Sequence, residues 1–514
     1  MEKFVVGEMA YVNAAKFAGK VATLYGDKRK TWKEFNQSTN MLANMLIDKD
    51  FQKGDRLAIL SQNCDRYLEW YFGCAKAGVI VVPINYRLAE NEMANLLTHS
   101  EPKGMIVSED YYGTLENIKG KLPIELYFST GNIKGDWLLD YEKSLQNYPD
   151  DPPKVPVEED DVFCIMYTSG TTGLPKGAMS THRNYVVNAL SVMNAQGISR
   201  DDINLIAAPL YHAGALFHSL SYIMLGSTQI ILKQFDTREI LKTIQNEKAT
   251  SCLLIPTMLN FLLNDPDFEK YDTSSLNKIF YGGGPMPVAL LEKAISSFND
   301  AQFTQGYGLT ETLETNFLLP EDHILGGSEQ QNMRLGSAGT ETPLYEVKIV
   351  DDIGNEAPYN TEGEVWVRGP SVIKGFWKAA EQTENSISEG WFKTGDIGML
   401  DEDRYLYILD RKKDMIISGG ENIYTKEVED VLHSHPALLE AAVIGVPDPK
   451  WGENVAAIVV LKEGMSASEE EIIEFCKKYL ARYKRPKSVA FVDELPKNPS
   501  GKILKRDLRE RYKG

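Results

Sequence analysis

The sequence predicts an α/β fold: a large N-terminal domain of α/β sheets with a β-rich subdomain, followed by a small C-terminal α+β domain. Three observations support this prediction. The chain has 514 residues, too many for one compact core. Short apolar strand patterns alternate with helical patterns over the first part of the chain, as in a mostly parallel sheet. Later segments place β-branched and aromatic residues around Gly and Asn turns, which is typical of antiparallel hairpins.

The N-terminal elements follow each other in the order that a doubly wound sheet requires. Thr31, with Glu34 three residues on, forms a capping-box pattern before an apolar stripe, which predicts a helix over residues 31–47. Further elements are predicted as a strand over 55–61, a helix over 65–78, and strands over 79–84, 103–108, 227–232, 249–256 and 278–285. Ligands bind at the carboxyl ends of such strands, so the loops that follow them are the first candidates for a site.

The C-terminal third of the sequence has a different pattern of strands and helices. Segments 345–358 and 362–377 have the pattern of antiparallel hairpins. Beyond them we predict a helix over 426–435, strands over 440–446 and 454–461, and a helix over 468–483. A boundary at residues 411–414 divides the chain into an N-terminal domain of residues 1–412 and a C-terminal domain of residues 413–514.

Composition excludes several classes of function. The formal net charge of −18 argues against general nucleic-acid binding. The five cysteines form no CxxC pair, which fits a reducing compartment, and the histidines show no metal-ligand spacing. The N-terminus lacks the basic and apolar regions of a signal peptide, and the longest apolar run is far short of a membrane span. We expect a cytoplasmic protein without a transmembrane segment, and the sequence leaves a homo-oligomer open.

The loop Tyr167–Gly177, with the sequence YTSGTTGLPKG, directly follows the apolar run VFCIMY. Glycines let consecutive backbone amides turn inward and form a nest for an anion. Threonine and serine hydroxyls add donors, and Lys176 adds a positive charge suited to a polyphosphate. The spacing differs from the common P-loop because the lysine precedes the last glycine. For such a loop in isolation, a mobile surface turn is the alternative.

Four further motifs follow in order. In YGLTE, Tyr307 offers a flat face for a base, Thr310 a donor and Glu311 an oxygen ligand for Mg²⁺. Asp396, in WFKTGDIG, can accept both hydroxyls of a ribose. Arg411 stands in DRKKDMIISGGENIY and Lys502 in the loop PKNPSGKILK. Each residue alone reads as a turn former or a surface charge, but the five motifs together indicate a nucleotide site.

With these motifs the sequence resembles the adenylate-forming superfamily of acyl-CoA synthetases, peptide-synthetase adenylation domains and beetle luciferases, over nearly the whole chain. The resemblance implies a small-molecule carboxylic acid, ATP, Mg²⁺ and coenzyme A. The acid attacks the α-phosphorus of ATP and releases pyrophosphate, and a thiol then displaces AMP from the acyl-adenylate. Both steps develop charge that fixed donors must meet.

The resemblance also implies a role for each motif. The loop residues implied to bind the β- and γ-phosphates are Thr168, Ser169, Gly170, Thr171, Thr172, Gly173 and Lys176. The remaining nucleotide contacts are Gly283, Gly284 and Tyr307 around the adenine, Thr310 at the α-phosphate, Glu311 with Thr168 at Mg²⁺, and Asp396 with Arg411 at the ribose. Lys502 bridges the carboxylate and the α-phosphate, which requires a long cationic side chain on a mobile loop.

Lys502 must move out of the site before the thiol of CoA can reach the acyl carbonyl of the adenylate. Members of the superfamily resolve this conflict by rotating the small C-terminal domain, and the resemblance places the hinge at Lys413. Rotation brings Gly419 and Gly420 to the site, where they line a narrow pantetheine channel. The candidate contacts to the rest of CoA are Arg87, Trp451, Tyr483, Arg485 and Lys487. For the basic cluster around Arg485, a solvated charge patch is the alternative.

The acyl pocket is predicted near the segment PLYHAGALFHS. Its wall residues are His212, Ala213, Leu216 and Gly308, with neighbours in 281–284 and 308–314. A histidine beside apolar residues is otherwise a packed core residue. The stretch from Pro209 to Leu225 has no Asp to pair with an α-ammonium, so we predict an uncharged aliphatic, alicyclic or aryl tail.

The leading function is therefore an ATP-dependent acid:CoA ligase. The alternatives are an enzyme that loads an acyl group on a carrier protein, a luciferase-like oxygenase, and an inactive nucleotide sensor. An inactive sensor would be expected to lose Lys502 or Glu311, and both are present. Chain length and ring preference stay open.

Overall fold

The computed structural model describes residues 3–132, 135–168, 176–298, 300–497 and 503–512, and every structural statement below refers to these segments. The predicted phosphate-loop residues Ser169, Gly170, Thr171, Thr172 and Gly173 lie outside the described residues, as does Lys502.

The helices of the described segments have the following bounds. They are α1 Val6–Phe17, α2 Trp32–Asp48, α3 Tyr67–Ala77, α4 Glu90–Ser100, α5 Tyr112–Ile118, α6 Tyr141–Leu145, α7 His182–Gln196, α8 Ala213–Ile223, α9 Thr237–Glu247, α10 Pro256–Leu263, α11 Val288–Ser297, α12 Glu329–Arg334, α13 Ala380–Ser386, α14 Thr425–His433, α15 Glu469–Lys477 and α16 Lys505–Arg511.

The strands are β1 Val21–Tyr25, β2 Lys28–Thr31, β3 Arg56–Leu60, β4 Ile80–Pro83, β5 Gly104–Ser108, β6 Leu126–Thr130, β7 Leu139–Asp140, β8 Val162–Thr168, β9 Lys176–Thr181, β10 Ile203–Ile206, β11 Thr228–Ile231, β12 Ser251–Leu253, β13 Lys278–Gly282, β14 Gln302–Leu309, β15 Leu313–Leu318, β16 Thr340–Glu341, β17 Glu346–Val350, β18 Gly363–Arg368, β19 Gly375–Phe376, β20 Ile387–Ser388, β21 Trp391–Leu400, β22 Leu406–Arg411, β23 Ile416–Ser418, β24 Glu421–Ile423, β25 Leu438–Asp448, β26 Gly452–Leu461 and β27 Ser488–Phe491.

Two large sheets form the N-terminal part of the described chain. The first has the strand order β16-β15-β14-β13-β12-β10-β11-β1-β2, and the second has the order β19-β9-β8-β4-β3-β5-β6-β7. The central strands of both sheets pair in parallel, and β4 is buried along its whole length. Such strands are covered on both faces by helices, which is why they read as continuous apolar runs. The predicted α/β fold class is confirmed.

The core joins the two large sheets. Its largest hydrophobic cluster contains Trp70 of α3, Phe163 of β8, Tyr185 of α7, Leu216 of α8 and Ile279 of β13. Because the two sheets share packed helices, their edges hold a fixed relation to each other. This matters for the site, which takes residues from both sheets.

Two smaller antiparallel sheets follow. The third sheet has the order β17-β18-β21-β20, with β22 paired to β21. The fourth has the order β24-β23-β26-β25, with β27 parallel to β26, and all of its strands come after residue 415. Helices α14 and α15 pack with this sheet around a separate hydrophobic cluster that includes Val428, Val443 and Ile472. The division at residues 412 and 413 stays a prediction.

The predicted capping box forms at the start of α2. The backbone N–H of Glu34 donates to Thr31 Oγ1 at 3.3 Å, and the N–H of Thr31 donates to Glu34 Oε2 at 2.8 Å. Two N–H groups that a helix start leaves free are satisfied in this way. The predicted end of α3 at Gly78 also forms, with a left-handed φ of 68°.

Two predicted elements differ from the structure. Segment 362–377 does not fold back on itself: β18 pairs with β17 and β21, whereas β19 joins β9 in the second large sheet. The predicted helix over 468–483 ends at Lys477. Arg485 explains the early end, because its side chain donates to the carbonyl oxygens of Leu480 (2.8 Å) and Lys477 (3.4 Å), which a longer helix would have used.

In the segments that the structure describes, we find no helix long and apolar enough to cross a membrane.

Candidate nucleotide and acyl site

The second large sheet meets the first at Thr168 and Glu311. Thr168 ends β8, and Glu311 lies in the tight turn between β14 and β15. The Thr168 hydroxyl donates to Glu311 Oε1 at 3.1 Å, and the N–H of Ile373 donates to the Glu311 carbonyl at 2.9 Å. Burial raises the pKa of Glu311, although its hydrogen bonds and the charges of Arg411 and Lys176 oppose the shift. The sequence placed these two residues at a metal, and the fold brings their oxygens together.

The chemistry of this pair fits Mg²⁺ held together with phosphates. Among the described residues no cluster of three or more His, Cys, Asp or Glu side chains could hold a metal ion by itself. Mg²⁺ commonly binds through one or two carboxylates and completes its shell with water and substrate phosphates. One carboxylate beside one hydroxyl is such an incomplete set, and the role of Glu311 and Thr168 as metal ligands stays a prediction.

Residues of the first and third sheets form a second polar cluster. Tyr307 of β14 donates its hydroxyl to Asp396 Oδ2 at 2.7 Å, and Arg411 Nε contacts Asp396 Oδ1 at 2.5 Å. Asp396 and Arg411 are directly opposed on β21 and β22, and Asp396 is buried. Burial and the Asp396 charge raise the pKa of Tyr307 well above its usual range, so its hydroxyl stays a donor. An aromatic ring, a carboxylate and a guanidinium in contact form a surface suited to a nucleoside.

Glycines line the neighbouring strands beside Tyr307. A Cβ at Gly282 would lie 2.5 Å from the Gly306 carbonyl oxygen, and one at Gly308 would collide with the Leu313 carbonyl. Gly283 has a φ of 76°, and a Cβ at Gly284 would face open space. We call Gly282, Gly283, Gly284, Gly306 and Gly308 the glycine floor. A planar ligand can therefore approach the backbone closely at Gly283 and Gly284, as the sequence prediction for adenine requires.

The two ends of the predicted phosphate loop, Thr168 and Lys176, are described, although residues 169–175 are not. Thr168 and Lys176 are directly opposed at the start of the β8–β9 pair. Lys176 Nζ lies 5.4 Å from the centre of the Phe376 ring. Lys176 is thus fixed at the base of the loop, next to Glu311. Thr310, predicted at the α-phosphate, precedes Glu311 in the same turn and is half-buried.

His212 occupies the N-cap position of α8, although its side chain makes no capping hydrogen bond. Ala213 and Leu216 follow on the helix and are buried. The Nε2 atom of His212 is sealed from solvent and has no hydrogen-bond partner among the described residues. Burial lowers the pKa of His212 to about 4, and the nearby Arg87 adds to the shift. The ring is therefore neutral at physiological pH and has a free nitrogen.

Three tyrosines near Arg87 are functional candidates that the sequence reasoning missed. Tyr86 packs on Tyr211 with ring centres 5.3 Å apart and on Tyr111 at 5.4 Å, and Arg87 lies 5.7 Å from the Tyr86 ring. The hydroxyl of Tyr211 is also buried without a partner among the described residues. These tyrosines come from three distant segments, and no sequence spacing indicated that they meet.

The predicted hinge and channel residues lie in turns. Lys413 is exposed in a turn closed by the N–H groups of Asp414 and Met415, which both donate to the Arg411 carbonyl (2.8 and 3.1 Å). Gly419 and Gly420 link β23 to β24 with φ values of 61° and 86°. Trp451 packs directly on Gly419, whose N–H donates to the Trp451 carbonyl at 2.8 Å.

The remaining CoA candidates separate into two kinds. Tyr483 and Lys487 are exposed on the surface. The guanidinium of Arg485 is partly engaged, because it donates to the carbonyl oxygens of Leu480 and Lys477. Lys484, in the same basic cluster, is paired with Glu427 at 2.6 Å. Binding of CoA at this cluster stays a prediction, with Tyr483 and Lys487 as its accessible members.

A network of buried charges lies next to Arg411, the arginine predicted at the ribose. Asp410 accepts hydrogen bonds from the N–H (2.5 Å) and the hydroxyl (2.8 Å) of Thr425 in α14. Lys505 Nζ donates to the same hydroxyl and pairs with Glu429 at 2.8 Å. Burial raises the pKa of both carboxyls, although Lys505 opposes the shift. The network joins the strand that carries Arg411 to the fourth sheet and its helices.

Comparisons with known proteins identify the family of this chain. The profile of the AMP-binding enzyme family matches residues 11–377, and that of the AMP-binding enzyme C-terminal domain matches residues 427–502. The chain is 37% identical over 492 residues to a feruloyl-CoA synthase of an Amycolatopsis species, covering 96% of each chain. It is 35% identical over 498 residues to the fatty acid--[acyl-carrier-protein] ligase ScoC of Streptomyces coeruleorubidus, covering 96% of this chain and 93% of that one.

A solved structure shows the same fold. The anthranilate CoA ligase AuaEII in complex with anthranoyl-AMP superposes with a TM-score of 0.92 at 27% identity, covering 99% of this chain and 97% of that chain.

Proposed function

This chain belongs to the adenylate-forming superfamily, among its acyl-CoA ligases, and from that premise we propose the two half-reactions and the class of acid that it uses. The enzyme activates a carboxylic acid as its acyl-adenylate and then transfers the acyl group to CoA. The observation that supports this best is the convergence of three sheets at one site, where the Thr168–Glu311 pair and the Tyr307–Asp396–Arg411 cluster meet.

In the first half-reaction a carboxylate oxygen bonds to the α-phosphorus of ATP, and the bond to the leaving pyrophosphate breaks. Asp396 accepts the ribose hydroxyls, and Arg411 and Tyr307 hold its carboxylate in place. Glu311 and Thr168 would hold Mg²⁺, which supplies charge neutralisation at the phosphates. Lys502 carries positive charge to the attacking carboxylate and the α-phosphate, and neutral His212 orients the acid.

In the second half-reaction the thiol of CoA attacks the acyl carbonyl carbon, and the bond between that carbon and the phosphate oxygen of AMP breaks. AMP leaves, and the thiol proton passes to solvent. We propose that the C-terminal domain rotates about Lys413 between the two steps. Gly419 and Gly420 then line the path of the pantetheine arm, because a side chain at either position would narrow it.

We propose an acid with an uncharged aliphatic, alicyclic or aryl tail. The named relatives concern feruloyl, fatty-acyl and anthranoyl groups, so membership alone does not choose among these tails. All five cysteines are free thiols, which supports a reducing compartment, and we propose the cytoplasm.

A second candidate is transfer of the acyl group to a carrier protein instead of CoA. The similarity to the acyl-carrier-protein ligase ScoC favours it. The first half-reaction is common to both candidates, and only the thiol acceptor differs.

A panel of carboxylic acids decides between these functions. Pyrophosphate release and thioester formation are measured with CoA, with a phosphopantetheinylated carrier protein, and with neither. The proposed function requires a CoA thioester for at least one acid that also gives pyrophosphate release. Thioester formation on the carrier protein alone would support the second candidate, and no pyrophosphate release from any acid would contradict both.

A further inference from the structure

Glu314 is a buried carboxyl for which the described structure supplies no partner. Its residue is 7% exposed, and its Oε2 atom is sealed from solvent. Neither a hydrogen bond nor an ion pair reaches its carboxyl from the described part of the chain. Buried carboxyls in folded proteins are normally paired or hydrogen-bonded, so an unpartnered one requires an explanation.

Glu314 lies within the segment that forms the predicted acyl wall. It stands on β15 directly opposite Gly308 and three residues after Glu311. A Cβ at Gly306 would lie 2.9 Å from Glu314 Oε2 and would also collide with the Phe280 ring. The carboxyl and the ring therefore lie side by side over the glycine floor, on the face that packs against α8.

Among the described residues, the neighbours of the carboxyl offer no cation. The Phe280 ring packs on His218 of α8, with ring centres 5.3 Å apart. His218 Nε2 lies 3.1 Å from Gln196 Oε1, and burial lowers the pKa of His218 to about 3, so the ring is neutral. A small cavity lined by Ala208, Ala215, His218 and Leu253 adjoins this ring.

The main chain holds Glu314 in this position. Asn188 Nδ2 donates to the Glu314 carbonyl at 2.7 Å, and Leu313 before it has a φ of 51°, in the left-handed region that leucine rarely adopts. The direction of the carboxyl is thus set by the turn and by α7.

We infer that Glu314 is a specificity-determining residue that hydrogen-bonds an uncharged polar group, a hydroxyl, on the tail of the substrate acid. The inference rests on the proposed function and narrows it from uncharged tails in general to tails that carry a hydrogen-bonding group. Burial raises the pKa of Glu314 to about 8, so the carboxyl is neutral at pH 7 and offers one donor and one acceptor. A substrate hydroxyl can pair with both the donor and the acceptor, whereas a methyl group would leave the donor and the acceptor unpaired.

The test uses matched pairs of acids that differ only in a terminal hydroxyl. The pairs are built on butanoate, octanoate, hexadecanoate, phenylpropanoate and cinnamate, and ω-aminooctanoate adds a cationic tail. Pyrophosphate release and CoA-thioester formation give kcat/KM for each acid. The variants are Glu314→Gln, which keeps the hydrogen-bonding shape, and Glu314→Met, which removes it. Leu318→Met, at a buried position on the same strand, is the matched control.

The wild type should prefer the hydroxylated member of at least one pair by about 10-fold or more in kcat/KM. Glu314→Gln should keep that preference within roughly threefold, Glu314→Met should reverse it, and Leu318→Met should leave it unchanged. Glu314→Ala replaces the methionine variant if that variant does not fold.

Three results would overturn the inference while the proposed function stands. The first is a wild-type ratio within about twofold for every pair. The second is the same ratio in Glu314→Met as in the wild type. The third is a preference for ω-aminooctanoate that Glu314→Gln abolishes, since that would make the residue an anion. If no acid releases pyrophosphate with the wild type, the proposed function fails and the inference fails with it.

Discussion

Asp396→Asn tests the ribose contact with an almost isosteric change. The carboxylate of Asp396 is buried, 2.5 Å from Arg411 Nε, and accepts the Tyr307 hydroxyl at 2.7 Å. The amide keeps the shape and one acceptor oxygen but removes the charge. Arg411 then loses its ion-pair partner, and the ribose hydroxyls lose a charged acceptor.

The size of the effect follows from the exposure of the pair. Breaking a fully buried ion pair by removing one partner costs about 3–5 kcal/mol, whereas an exposed pair is worth roughly 0–1 kcal/mol. The Asp396 side chain is 3% exposed but that of Arg411 is 32% exposed, so water screens one side of the pair. We therefore expect a loss of about 2 kcal/mol in folding stability. A hydrogen bond to a charged group is worth about 1.5–3 kcal/mol, which corresponds to roughly 10- to 150-fold weaker ATP binding.

Titration calorimetry with ATP and thermal melting without ligand measure the two effects separately. Asp403→Asn is the matched control, because Asp403 makes an ion pair of the same 2.5 Å length with Arg334 but its side chain is 54% exposed. The control should change ATP affinity by less than about twofold. The reasoning is refuted if Asp396→Asn binds ATP within twofold of the wild type, or if both variants weaken ATP binding equally.

Three more predictions address the hinge, the two lysines and the buried carboxyl. Lys413→Pro should keep ATP-dependent pyrophosphate release but lose thioester formation, because the proline ring restricts the backbone at the proposed hinge; equal loss of both half-reactions would contradict it. Lys502→Ala should nearly abolish adenylation while a supplied acyl-adenylate is still converted to thioester, whereas Lys176→Ala should mainly raise the KM for ATP; indistinguishable variants would refute this division of roles. For Glu314, the folded-state pKa of about 8 lies above the usual 4.5, so the folded chain keeps a proton that the unfolded chain has released between these values. Wild-type stability should then fall by up to about 1.4 kcal/mol per pH unit in that window, and the melting temperature of Glu314→Gln relative to wild type should rise from pH 5 to pH 8; a constant difference would contradict the assignment.

Local sequence patterns predicted much of the fold because the interactions behind them are local. The α2 capping box and the glycine end of α3 depend on residues within one turn, and both form as expected. Segment 362–377 was wrong in detail, because its strands choose partners from two different sheets and that choice depends on distant residues. Strand patterns show that a residue is paired, but they do not identify its partner.

In the candidate site, too, local motifs were predictable from the sequence, whereas contacts between distant segments were not. Five motifs indicated the nucleotide residues, and the fold brings Thr168 to Glu311 and Tyr307 to Asp396 and Arg411. The Tyr86–Tyr211 contact and the missing partner of Glu314 depend on packing between segments far apart in sequence. Arg485 illustrates what a charge pattern leaves out, because its side chain donates to the Leu480 carbonyl oxygen, a contact that the sequence did not indicate; its role at CoA stays a prediction.

The glycine floor has a consequence for redesign. At Gly282 and Gly308 even one methyl group would meet the neighbouring strand, so saturation mutagenesis there should return few folded variants. Under the proposed function, changes of acid preference are then expected from side chains beside the floor, namely Glu314, Phe280 and His218, which packs on Phe280. A small library at those three positions, with the strands left untouched, is the economical place to search for a new substrate.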